Sequence, residues 1–123
     1  MITPLVRRIY IADMRADADI GKHRGTKHCV CVSVSNGMYL LINTSHRDLY
    51  NDFQISASDY PFLNGVDRFL SCHKLRMINP RQLIREVGAL SQKDTETVIM
   101  KITASKTISE GDKAIVMAEL RRS

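Results

Sequence analysis

No stretch of this 123-residue chain approaches the roughly 20 consecutive apolar residues that cross a bilayer. The N-terminal run MITPLVRR carries no long apolar region of the kind found in a secretory signal. Those two absences lead to the expectation of a soluble, cytoplasmic protein with no membrane partner. Cysteine is scarce and badly spaced for cross-linking: Cys29, Cys31 and Cys72 are odd in number and contain no CxxC pair. That pattern argues against a secreted disulfide scaffold, and the thiols are expected to be reduced. A zinc site is disfavoured too. His28, Cys29, Cys31, Cys72 and His73 are soft ligands, but adjacent strand residues point to opposite faces, so His28 and Cys29 can hardly share one ion. Neither a metal nor another cofactor is expected. Repeats and low-complexity segments are also missing, which leaves one domain over 1–123, large enough to bury a single core.

What the chain does have is 44% hydrophobic residues, a formal charge of +5 and a sequence pI near 9.3. An anionic partner fits this balance: nucleic acid, an acidic protein or a phosphorylated ligand. The stretch from Gly21 to Arg47 organises the rest. GKHRGTKH leads into the apolar run CVCVSV, Ser35-Asn36-Gly37 supplies a turn, and MYLLIN runs back to TSHR. Asn-Gly provides the positive φ angles of a tight hairpin, so the two runs pair antiparallel. Their polar ends then meet, with His23, Arg24, Lys27 and His28 near Thr44, Ser45, His46 and Arg47.

Arg7 to Met14 reads as a strand, because Ile9 and Ile11 share a face. Arg15 to Lys27 reads as a long, potentially functional loop. Cys29 to Val34 and Met38 to Asn43 form the hairpin, Asp48 to Asp52 turns, and Phe53 to Ser56 gives a short strand. Asn64-Gly65 is a second turn signal, followed by a strand over Arg68 to Ile78. Asn79-Pro80 starts a single helical turn, and Arg85 to Gly88 makes the last strand. Ser91-Gln-Lys-Asp94 is a capping box opening a helix that places Val98, Ile99 and Ile102 on one face. Ser109-Glu-Gly-Asp112 repeats the pattern before a second helix over Ala114 to Leu120. The expected fold class is mainly β with a C-terminal helical segment, a small bent antiparallel barrel.

A basic, Gly-containing loop enters a Val-rich strand, and a second apolar strand ends in Asn43-Thr44-Ser45. Another strand ends in Leu75-Arg76-Met77-Ile78, and Val87-Gly88-Ala89-Leu90-Ser91 precedes a helix. Together, over roughly residues 8 to 105, these features resemble the MazF/PemK-type toxins, whose fold is a CcdB-like, SH3-like barrel. The resemblance implies a homodimer that cuts single-stranded RNA without metal and is neutralised by a cognate antitoxin. It places the family's arginine at Lys27 and its hydroxyl residue at Thr44. The first is a departure, since lysine keeps the charge but loses the bidentate fork, and Arg24 is near enough to substitute.

Chemistry points to the same residues. Cleaving RNA through its own 2′-hydroxyl needs a base, a cation for the phosphate and an acid for the leaving oxygen. His28 or His46 suits base or acid, Arg24 or Lys27 the clamp, and Thr44 a phosphate-orienting donor. His23 and Arg47 would bind RNA beside them. Tyr39 and Tyr50 either stack bases in an adjoining groove or pack in the core or rim. Two alternatives stand beside the enzyme: a catalytically inactive barrel that binds nucleic acid or protein, and an accessory protein that contacts a larger enzyme through its basic face.

Overall fold

The structure, a computed structural model, describes residues 1–15 and 25–123. Among the described residues, seven strands form one antiparallel sheet: β1 (Arg8–Asp13), β2 (Thr26–Ser33), β3 (Met38–Asn43), β4 (Phe53–Ile55), β5 (Arg68–Leu70), β6 (Arg76–Met77) and β7 (Leu83–Ala89). Two helices follow, α1 (Gln92–Ala104) and α2 (Glu110–Arg122). The strand order is β4-β5-β3-β2-β1-β7, with β6 also paired to β3, so the sheet is open and its edges are β4 and β7. No helix among the described residues is long and apolar enough to cross a membrane.

Period-two alternation explains why the central strands are buried on both faces. Ile9, Val30, Val32, Leu40 and Ile42 fill one cluster, which the helices cap with Val98, Ile102, Val116 and Leu120. Tyr10, Ala12, Cys29, Cys31, Tyr39 and Leu41 alternate with them and fill a second cluster, joined by Ile78 and Leu83. The three cysteines are therefore packing residues. Burial pushes the Cys29 and Cys72 thiols up to about 12 and Cys31 to about 11, which keeps all three protonated and inert.

The hairpin forms where the sequence places it, with Cys29 opposite Leu41 and Val30 opposite Leu40. Its turn differs in detail. Gly37 alone takes a positive φ (+63°), the Gly37 amide donates to the Val34 carbonyl, and a register shift falls between Cys31 and Ser33. One left-handed residue and a bulge thus do the work expected of two. Glu119 of α2 fastens this loop, accepting from the Val34 amide (2.8 Å), the Ser35 amide and hydroxyl, and the Ser33 hydroxyl.

Arg68 to Ile78 is not one strand. β5 pairs with Ile42 and Asn43, β6 pairs with Met38 and Tyr39, and residues 71–75 leave the sheet between them. The Ser71 amide still reaches the Leu41 carbonyl, but the Cys72 amide turns away to the Tyr50 carbonyl. Both helix caps form, with Ser91 accepting from the Asp94 amide and Ser109 from the Asp112 amide. The first box is closed through a third residue. Tyr60 accepts from the Ser91 amide (3.1 Å) and donates to the Asp94 carboxylate (2.6 Å), a relay between groups that were expected to bond directly. The second helix is longer than its apolar stripe predicts, because it starts directly at its Ser109 cap.

Candidate functional site

A cleft of about 400 Å³ opens at the polar end of the hairpin. Thr26, Lys27 and His28 of β2 form one wall, Ile42, Asn43, Thr44 and Ser45 at the end of β3 form the next, and Arg47, Tyr50 and Arg68 complete it. Among the described residues, the lining thus has three cationic side chains, one histidine, four hydroxyl side chains and no carboxylate. Antiparallel pairing explains the convergence: His28 sits opposite Ile42, which places Lys27 beside Asn43. The Lys27 ammonium donates to Asn43 Oδ1 at 2.9 Å. β2 begins at Thr26, so Lys27 and His28 stand on the strand itself rather than on the loop before it.

Like charges crowd the cleft. Burial, then the nearby Arg76 and Arg68 guanidiniums, hold the Lys27 pKa below its ordinary value. Burial, then Arg68, Arg85 and Lys27, do the same to His28, whose ring packs on Phe62 at 5.0 Å. His28 is therefore a neutral imidazole at pH 7. Burial contributes most to both shifts, and the neighbouring like charges add to it.

Of the residues expected at the site, Lys27, His28, Thr44, Arg47 and Tyr50 meet at the cleft. His46 lies beside it and is otherwise engaged: its Nε2 meets Asp48 at 2.7 Å and its Nδ1 meets the buried carboxylate of Asp52. Those two hydrogen bonds raise its pKa, which favours the protonated ring and, of the two roles expected of it, the acid over the base. Asp52 also accepts from the Arg47 amide (2.9 Å), and the clamp shapes the segment that carries Arg47 and Tyr50 to the cleft. Tyr39 is 1% exposed within the second core cluster, so its ring has no face for a base. His23 and Arg24, expected to bind RNA and phosphate, lie outside the described residues.

Sequence reading missed Arg68 and Asn43. Arg68 opens β5 opposite Ile55 and enters through a long-range pairing that no local pattern encodes. Asn43 left a fainter trace, as a polar residue closing an apolar run at the position opposite Lys27. Among the described residues, no group of three or more His, Cys, Asp or Glu is arranged to hold a metal ion. Compared with known proteins, the chain matches no family model, and no curated protein matches it significantly.

Proposed function

We propose that this chain is a metal-independent endoribonuclease of the MazF/PemK type, acting on single-stranded RNA as the toxin of a toxin-antitoxin pair. On this reading the open sheet is a variant of the SH3-like barrel, and the protein works in the cytoplasm as a homodimer. The observation that carries the reading is the cleft at the hairpin end, which Lys27, Arg47 and Arg68 line with no carboxylate among the described lining residues. A polyanion with hydroxyl-bearing sugars fits that lining.

His28, neutral at pH 7, takes the proton of the ribose 2′-hydroxyl as that oxygen attacks phosphorus. Arg47 and Arg68 stabilise the charge on the pentacoordinate phosphate, and the Thr44 hydroxyl donates to one of its oxygens. The bond from phosphorus to the 5′ oxygen breaks, and Lys27, its pKa lowered by burial and by Arg76 and Arg68, gives that oxygen a proton. Products are a 2′,3′-cyclic phosphate and a free 5′-hydroxyl. Protons balance, since His28 gains one and Lys27 loses one.

A second reading, a binding module without catalysis, is favoured by the bond that ties the Lys27 ammonium to Asn43 where the resembled family has an arginine fork. Cleavage and RNA affinity measured together on Lys27→Ala and Thr44→Ala separate the two. An enzyme loses turnover about 10²-fold or more while affinity changes little. A parent protein that binds RNA but yields no product leaves the binding module standing.

A further inference from the structure

The excursion at residues 71–75 has a role that the phosphate chemistry does not use. By leaving the sheet it carries His73 under Tyr50, and the two rings stack with centroids 4.3 Å apart and planes 4° from parallel. Both rings are pinned. Tyr50 ends a 3-10 turn, Asp48–Tyr50, whose last amide donates to the Arg47 carbonyl, while the Tyr50 carbonyl accepts from the Cys72 amide. Asn51, left-handed at φ 49°, closes the turn and donates through its side chain to the Lys101 carbonyl at 2.8 Å. His73 Nδ1 pairs with the Ser71 hydroxyl at 2.7 Å. Tyr50 is half-buried and lines the cleft, and the Arg47 guanidinium stands 5.8 Å from its ring centroid.

We infer that the Tyr50–His73 stack is a nucleobase subsite, on which one unpaired base of the ligand lies flat while the adjoining phosphate meets Arg47, Lys27 and Arg68. The inference rests on reading the cleft as a phosphate site and adds where the base goes. His73 takes one face of the tyrosine and the exposed Arg47 guanidinium stands over the ring, so an incoming base displaces that guanidinium from the other face toward the adjoining phosphate. Because both rings are held by backbone and side-chain bonds before any ligand arrives, little ordering opposes binding. A base inside a duplex is already stacked on both faces, so the platform selects single strands. The contacts are made to a π-face and not to a base edge, which makes the subsite tolerant of sequence.

The test compares two uncleavable ligands with the same number of phosphates: a short deoxy-oligonucleotide and its fully abasic counterpart. The intact ligand should bind the parent protein about tenfold more tightly than the abasic one. Among variants that keep the parent's melting temperature, that gap should close in Tyr50→Leu, shrink in His73→Ala and survive in Tyr50→Phe. Equal affinities in the parent, or a gap that persists in Tyr50→Leu, overturn the base subsite and leave the phosphate cleft intact. Failure of the parent to bind either ligand removes both.

Discussion

Burial and the charges of Arg68, Arg85 and Lys27 keep His28 below the ordinary imidazole pKa, so it stays neutral through pH 7 and some way beneath. As a base it must be neutral to act. Cleavage should therefore persist below pH ~6.5, where an unperturbed histidine is half protonated, and fall only as His28 itself takes up a proton. His28→Ala should lower turnover about 10²- to 10⁴-fold with RNA affinity nearly unchanged, read from single-turnover rates beside binding. His46 behaves oppositely. Asp48 and Asp52 raise its pKa, so its protonated form belongs to the folded state. The stability it contributes is fully present below the unfolded value of ~6.5 and is lost as pH rises through the higher folded value. Melting temperatures of parent and His46→Ala, taken across pH, should differ most in mild acid and converge in mild alkali.

At the scale of elements, small polar relays decide how the strands and helices are joined. Tyr60 links the start of α1 to the turn after β4, since its hydroxyl serves both the Ser91 amide and the Asp94 carboxylate. Tyr60→Phe leaves both without that partner and should cost about 1–2 kcal/mol in denaturant titration, with m unchanged. Glu119 joins α2 to the β2–β3 loop. Burial would raise its pKa, but bonds from the Ser33 and Ser35 hydroxyls and the Val34 and Ser35 amides outweigh that and lower it. Its contribution is present above the unfolded carboxylate value and fades as pH falls through the folded one. Glu119→Ala should therefore destabilise the parent at neutral pH by roughly 1–3 kcal/mol and by less in acid. The hairpin, both serine caps and the last strand were legible in the sequence, because period, turn chemistry and caps are local. The break in Arg68 to Ile78 was not, since a run of alternating residues does not reveal that the Cys72 amide will turn to Tyr50 instead of β3. Lys27, His28, Thr44 and Arg47 meet at the cleft because one hairpin brings its own ends together. Arg68 was missed because it arrives from another strand, and the ties of His46 to Asp48 and Asp52 were not legible because they depend on the burial of Asp52.

The whole molecule carries a net +5, and its cleft gathers Lys27, Arg47 and Arg68 at one end of the sheet. Affinity for RNA should fall steeply with salt, and Arg68→Ala should flatten that dependence by roughly one unit of log–log slope. The central claim is that side chains of this cleft, with His28 as base and Lys27 as acid, suffice for cleavage. It is tested by incubating the purified protein with single-stranded RNA in excess chelator and analysing the ends of the fragments. Cleavage should proceed undiminished, give 2′,3′-cyclic phosphate and 5′-hydroxyl ends, and fall about 10²- to 10⁴-fold in His28→Ala. Loss of cleavage on chelation, 5′-phosphate ends, or full activity in His28→Ala would contradict it.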